Sequence, residues 1–326
     1  MFLKHVKRVT FLCPAMTTGG PEAIHQASQV LNRNGMSSDI AYYGGDGSLT
    51  IRDGRLECTP PTENPCLSAY AEYEPTICRT ALLRPHHLIV LPEVLAGQFG
   101  GFGRAAVAVW WLSVDNALNA MDEPTQRALL ASRTTRHLHQ SAYAEDFLRQ
   151  VGLPGSQPLA DFTTAEFTSY VPTAPNAGPA LAYNPAKGAD LAAAFFAANP
   201  DLGQAPVRGM SRVQAADLMR RTMLYVDFGH LPGKDRLPRE AAASGSVVFL
   251  RDRGAGHYPA DFPVPDFFRF TDAAVHDGEL GRRIRSVLAD PRAAWSQQQP
   301  LRDAIGGERD ELDEQVRHLL GRSRAA

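Results

Sequence analysis

The sequence predicts a doubly wound α/β protein built as two consecutive domains. Three observations carry this. The chain has 326 residues, too many for one ordinary domain and suited to two of about 100–200 residues each. Short apolar runs rich in β-favouring residues alternate with stretches of helical period from one end to the other, the rhythm of parallel sheets. A proline-dense stretch interrupts that rhythm midway: prolines 154, 158, 172, 175 and 179 lie in a segment without helical period and mark a linker. The boundary falls near Asn176.

The elements follow in order. Val9 to Cys13 is a strand, and Pro14 to Pro21 is a loop carrying Gly19 and Gly20. A helix with Ile24, Ala27 and Leu31 on one face comes next, stopped by Gly35. Pro21 suits its first turn, where a missing N–H costs nothing. Ile40 to Tyr43 is a second strand, and residues 44–80 read as loops around at most a short hairpin. His87 to Leu91 and Ala105 to Leu112 are buried strands, Thr135 to His139 is a short one, and Ala142 to Val151 is a helix closed by Gly152. After the linker the rhythm restarts. Ala180 to Tyr183 is a strand, Asn184 to Gly188 a loop and Ala189 to Ala198 an apolar helix. Ala205 to Val207 is a short strand, and Ser211 with Gln214 has the form of a capping box that opens a helix through Arg221. Met223 to Phe228 is a strand, Glu240 to Ser244 a short helix ended by Gly245, and Val247 to Leu250 the next strand. The last 35 or so residues read as one or two amphipathic helices. The domains are thus 1–175 and 176–290, with a helical tail over 291–326.

Composition narrows the functional classes. Hydrophobic residues make up 44% and charged residues 21%, and 33 basic side chains against 35 acidic ones leave a net charge of −2. A protein gripping a nucleic-acid backbone carries a basic excess, so nucleic acid is disfavoured as a partner. Cys13, Cys58, Cys66 and Cys78 have neither CxxC nor zinc spacing and fit a reduced, cytoplasmic protein. The basic stretch before Val9 precedes only five apolar residues, too few for a signal peptide or a membrane span. Contact with a membrane surface stays open.

The chemistry concentrates at residues 225–249. A buried strand ends in Gly229, and the loop beyond it presents His230, Lys234, Asp235, Arg236 and Arg239 before Glu240 opens a helix of small residues. In an open α/β sheet the ligand crevice lies beyond the carboxyl ends of the strands. Free N–H groups at a helix start, with Lys and Arg nearby, attract an anion. A carboxylate at the same place accepts two hydrogen bonds from a ribose diol. A nucleoside-diphosphate sugar offers both groups.

The run from Pro232 through Glu240 to Val248 resembles the donor-site motif of GT-B glycosyltransferases related to family four. There a Glu, a Gly-x-Gly-x-Pro and a second Glu precede a small-residue helix and a Gly-x-Pro-Val strand. On this match Glu240 is the second glutamate, implied to bind the nucleotide ribose, while Pro232 occupies the place of the first, implied to contact the donor sugar. Gly19 and Gly20 resemble the family's Gly-Gly loop beside the donor phosphates. Lys187-Gly188 resembles its basic phosphate-contacting element, and Gln140-Ser141 the segment entering the last helix of its first domain. The resemblance spans most of residues 9–270. It implies two Rossmann-like domains facing each other across a cleft, the GT-B arrangement, with the C-terminal helices packing back across it. It also implies transfer of a sugar from a nucleotide-sugar donor, such as a UDP-sugar, to a hydroxyl acceptor, a glycan or glycolipid.

Asp115 follows a first-domain strand where related enzymes carry a residue facing the scissile bond, which makes it the candidate base for an acceptor hydroxyl. His230 is a second catalytic candidate, and Lys187, Lys234 and Arg239 are the candidate phosphate contacts. Bland readings stand beside each. Glu240 also suits a helix start, Asp115 a cap or turn, and His25 or His230 simple packing. Of Lys234, Arg236 and Arg239, one or two pair with Asp235 or Asp227. Gly100, Gly101 and Gly103 mimic a dinucleotide fingerprint without its acidic partner. No Asp-x-Asp stands at a strand end, so metal-independent catalysis without a cofactor is expected. A nucleotide-sugar epimerase or hydrolase of the same fold, a catalytically silent sugar-nucleotide binder and a transferase acting on modified DNA remain open alternatives.

Overall fold

The computed structural model of the protein describes residues 2–153 and 155–322; Pro154, the first of the linker prolines, lies outside them. Two compact units emerge. One holds Phe162 and the chain before it together with Arg309 and the chain after it; the other is Thr163–Glu308.

The first unit is built on a six-stranded sheet of β1 (Arg8–Pro14), β2 (Ser37–Tyr43), β6 (His87–Pro92), β7 (Ala106–Trp111), β8 (Arg136–His139) and β9 (Gln157–Pro158), in the order β2-β1-β6-β7-β8-β9. Every neighbouring pair is parallel. Strands covered on both faces read as continuous apolar runs, and this is why the central strands stood out in the sequence. Trp110 is fully buried in β7 and gives its indole N–H to the carbonyl of Leu159 at 2.9 Å, as a buried tryptophan needs. The helix Gly19–Arg33 packs Ala23, Ile24, Ala27, Val30 and Leu31 into the same core.

Between β2 and β6 the chain forms a three-stranded antiparallel sheet, β3 (Ser48–Arg52), β4 (Arg55–Thr59) and β5 (Thr80–Leu82). This is more structure than the short hairpin expected there. Asp53 and Gly54 both take positive φ, 48° and 69°, in the two-residue turn that joins Arg52 to Arg55. Such a turn matches strand twist and calls for Asp-Gly. β4 then alternates, sending Leu56 and Cys58 inward. All four cysteines are unpaired and buried, each at most 5% exposed.

The second unit repeats the plan. Its sheet, in the order β11-β10-β12-β13-β14, consists of β10 (Leu181–Tyr183), β11 (Gln204–Pro206), β12 (Leu224–Asp227), β13 (Val247–Arg251) and β14 (Arg269–Phe270), all parallel. The helix Ala189–Ala198 has the bounds expected, and the capping box of Ser211 and Gln214 is formed by both of its hydrogen bonds.

The units divide earlier than the proline-rich stretch suggested. Residues 163–175 already belong to the second unit: Phe167 is 1% exposed, Glu166 pairs with Arg212 at 3.6 Å, and Thr163 donates its N–H and hydroxyl to Glu308, both at 2.8 Å. Those contacts outweigh the local composition. The tail is not a segment apart either. Gln298 brackets the backbone of Val248 in β13 with two hydrogen bonds of 2.8 and 2.9 Å. Leu312, Val316 and Leu319 of the last helix (Gln299–Leu320) belong to the first unit's core, at the spacing that puts side chains on one helical stripe. Among the described residues no helix is long and apolar enough to cross a membrane.

Candidate functional site

Both large sheets reverse their winding next to their first strand, and in such sheets ligands bind beyond the carboxyl ends of the strands flanking that reversal. In the second unit these are β10 and β12. The loop after β10 carries Lys187 and Gly188; the loop after β12 carries Phe228 to Asp235. The two loops touch through backbone. Gly188 sits at φ +64°, and a Cβ there would lie 2.1 Å from the carbonyl oxygen of Phe228; one on Gly229 would lie 2.8 Å from the Cβ of Lys187. A third loop, after β13, joins them. Gly254, at φ +60°, leaves no room for a Cβ beside the carbonyl of Leu231 and the ring of His230, and Ala255 N donates to Leu231 O at 2.8 Å. Glycine at 188 and 254 thus lets three loops cross closely above the strand ends.

Side chains fix this arrangement. Asp227, 1% exposed at the end of β12, accepts from Tyr225 Oη and Gly229 N, each at 2.9 Å. Burial, and next the charge of Asp235, push its carboxyl up to about 6. Lys187 pairs with Asp235, and its side chain keeps 37% exposure. Asp235 itself is pushed upward by burial, a shift that the Lys187 charge opposes.

The remaining expected cations are placed differently. Arg239 is 0% exposed. It pairs with Glu308 at 2.9 Å and donates to the carbonyls of Lys234 and Asp235. Lys234 reaches the same Glu308 oxygen at 3.3 Å. Arg239 therefore holds the loop from below rather than facing a phosphate, and Lys187 is the accessible cation of the expected set. The acid that takes both Lys234 and Arg239 is Glu308, 69 positions beyond Arg239, a distance that sequence spacing cannot reveal.

Glu240 does not open its helix. The helix runs Arg236–Ala243 with Asp235 at the cap position, so Glu240 lies just past its first turn, 8% exposed. Pro238, tolerated near a helix start, is inside it as well. His230 is half-buried against the Gly254 loop.

In the first unit the corresponding strands are β1 and β6. Gly19 and Gly20 are not turn glycines; they are the first residues of the helix Gly19–Arg33, and neither takes positive φ. A Cβ on Gly20 would only touch Leu112 at an ordinary 3.5 Å. His25 is fully buried and packed, with Nδ1 2.6 Å from Pro21 O and Nε2 2.7 Å from Tyr42 Oη. Asp115 falls in the first turn of the helix Val114–Ala120, which Ser113 caps. It is half-buried and accepts from Tyr143 Oη at 3.2 Å, so the carboxylate is turned toward the helix Ala142–Gln150.

Glu93, directly after β6, was missed. It is 6% exposed, and among the described residues its Oε2 has no hydrogen-bond partner. Burial raises its carboxyl to about 7, although the backbone of Leu112 and the side chain of Asn116 hydrogen-bond to it. The phenol oxygen of Tyr43, at the end of β2, is buried and also lacks a partner among the described residues, and the charge of Glu93 is among the causes that raise its pKa. A carboxyl immediately after a buried parallel strand was the available signal. Among the described residues no group of three or more His, Cys, Asp or Glu is placed to hold a metal ion.

No protein-family model matches the chain, and no curated protein matches it by sequence. Solved structures match it along its whole length. TarM of S. aureus, in complex with fondaparinux, α-GlcNAc-glycerol and UDP, aligns over 97% of this chain and 100% of that one, with a TM-score of 0.65 at 9% identity. Sucrose-phosphate synthase from Thermosynechococcus elongatus aligns over 96% and 98%, with 0.62 at 16% identity. The α,α-trehalose 6-phosphate synthase of Burkholderia multivorans gives 97% and 97%, with 0.58 at 11% identity. The fold is GT-B. At these identities the likeness is one of backbone. The GT-B fold accounts for the two parallel sheets with the same strand order.

Proposed function

We propose that the protein is a glycosyltransferase that takes a sugar from a nucleoside-diphosphate sugar and passes it to a hydroxyl acceptor, a glycan or glycolipid. One observation carries this reading: the crossing of the Lys187-Gly188 loop with the Phe228-Gly229 loop at the winding reversal of the second unit, with an accessible ammonium beside it. Similar folds have been solved with UDP, as in TarM, and with ADP, as in a starch synthase from Arabidopsis thaliana.

In this reading Lys187 and the free N–H groups at the start of the helix Ala189–Ala198 receive the diphosphate. Glu240 takes the ribose diol, and Lys234 and Arg239 keep the loop in place through Glu308. The leaving diphosphate then departs against fixed N–H dipoles and an ammonium, a preorganised charge that needs no rearrangement during the reaction. Asp115 is the carboxylate proposed to relieve the acceptor hydroxyl of its proton, and His230 lines the donor loops. We propose that no metal ion or cofactor is required and that the enzyme works in the cytoplasm; four buried, unpaired thiols fit a reducing compartment.

A thermal-shift panel of UDP, ADP and GDP with their sugars tests the reading. A ligand that binds only the folded state raises the melting temperature, and the nucleotide giving the largest shift names the base. Lys187→Ala and Glu240→Ala should each reduce that shift by more than their change in the ligand-free melt accounts for. If no nucleotide moves the melt, or both variants respond like the parent, the donor site is misassigned.

A further inference from the structure

The first unit contains a cavity of about 1220 Å³. Arg136 begins β8 and Gln157 begins β9, and both line it. Because the sheet is parallel throughout, the cavity lies at its amino edge, opposite the edge that carries Glu93 and the loop after β1. Arg133, Arg136, Arg322, His137 and His318 line it, and among the described residues no Asp or Glu does.

His137 forms part of the cavity wall. It is 6% exposed, and Trp111 Nε1 lies 3.0 Å from its Nδ1. An indole nitrogen can only donate, so Nδ1 is the acceptor and carries no proton. Burial drives the ring's pKa down to about 4, which keeps the imidazole neutral near pH 7. Its one proton is then on Nε2, and that buried N–H has no hydrogen-bond partner among the described residues. Buried donors are almost always satisfied, so an acceptor is wanted here. Arg136 gives one guanidinium nitrogen to the carbonyl of Phe2, with the Phe2 ring centroid 5.2 Å away. Arg322 gives one to the carbonyl of Asn34. These contacts fix the two forks, whose remaining N–H groups suit the planar recognition of phosphate oxygens. Leu130 and Leu153 add apolar wall. The volume lies above the range of typical small-molecule sites, about 300–1,000 Å³, and exceeds what a bare oxyanion fills.

We propose that this cavity binds a small soluble organic phosphate, with Arg133, Arg136 and Arg322 around the phosphate and the Nε2–H of His137 as the buried donor. The site is independent of the sugar-nucleotide reading and stands at the other edge of the sheet from any ligand of the loops after β1 and β6.

Titration calorimetry on the full chain tests it, with glycerol 3-phosphate, glucose 6-phosphate and inorganic pyrophosphate as probes, each repeated with UDP present in excess. Saturable binding that persists with UDP is expected for at least one ester. Arg133 and Arg322 are exposed, so Arg133→Gln with Arg322→Gln leaves the fold intact and should weaken that binding at least about tenfold without moving the ligand-free melting temperature. His137→Phe should weaken it as well. Because that change also unseats Trp111, the arginine pair decides the matter if the His137 variant fails to fold. The proposal is overturned by no saturable binding of any probe, by binding undiminished in the double arginine variant, or by displacement by UDP, which would assign the phosphate to the donor loops. Binding only to vesicles of phosphatidylcholine with phosphatidic acid, and not to soluble esters, would overturn it too.

Discussion

Arg239 and Glu308 form an ion pair of 2.9 Å whose side chains are 0% and 1% exposed. It ties the helix Arg236–Ala243, which carries Glu240, to the last helix of the chain. Removing one member of such a pair leaves the other charge buried without compensation, which costs about 3–5 kcal/mol. Glu308→Ala should therefore lower stability by that order in urea unfolding. Arg239→Met combined with Glu308→Leu should recover much of the loss, because a well-packed apolar pair is often as stable as a buried ionic one. A double variant no better than Glu308→Ala would show that the backbone contacts of Arg239 and Thr163 matter more than the charge pair.

Glu93 sets a dependence on pH. Its folded pKa of about 7 stands above the ordinary value of 4.5, so the folded state holds this proton more tightly than the unfolded chain. The stability it contributes is complete below about pH 4.5 and is lost as pH rises through 7. Glu93→Gln removes the loss. We expect the variant to gain on the parent by roughly 3 kcal/mol at pH 8 and to show no advantage at pH 4, read from unfolding midpoints across that range. A constant difference between the two proteins at all pH values would refute the assignment.

Gly188→Ala meets both a left-handed backbone and the carbonyl of Phe228. Strain of this kind costs about 1–3 kcal/mol. The larger effect should be functional, since the displaced loop carries Lys187. The variant should lose its nucleotide-induced thermal shift by more than its stability loss accounts for. Gly152, also at positive φ but with nothing within 4 Å of a Cβ, provides the control: Gly152→Ala should cost only the backbone strain and leave the shift unaltered.

Arg269, 7% exposed, donates to the carbonyls of Gly256, Val264 and Phe262 at 3.0, 2.5 and 2.6 Å. It is the internal strut of the loop between β13 and β14. Arg269→Met should free these carbonyls and raise amide exchange over residues 254–264 selectively, with β12 and β13 still protected. Exchange that rises uniformly across the second unit would instead show that the strut supports the whole sheet.

Much of this fold was visible in the residues because parallel strands buried on both faces leave unbroken apolar runs. β1, β6, β7 and β13 could hardly be read otherwise, and Ser211 with Gln214 announced its helix by capping chemistry alone. The antiparallel insert was less visible: β3 buries almost nothing, and its turn, Asp53-Gly54, was the one clear local signal. The unit boundary was displaced because prolines report where the chain cannot be helical, whereas Glu166, Phe167 and Thr163 dock by contacts distant in sequence. The same limit governed the site. Gly188, Gly229 and Lys187 lie at one crossing of loops, but a partner of Arg239 lies on the final helix, and the burial of Glu93 exists only once β1, β6 and β7 are side by side. Charge type is local information; who neutralises it is not.

The placement of the cysteines has a practical use. All four thiols lie in the first 78 residues, inside the first unit, and residues 163–308 contain none. A maleimide dye added during denaturation would therefore report the opening of one half of the molecule only, while the three tryptophans at 110, 111 and 295 divide between both halves. Comparing labelling with fluorescence would tell whether the halves come apart together or in turn, with no engineered probe.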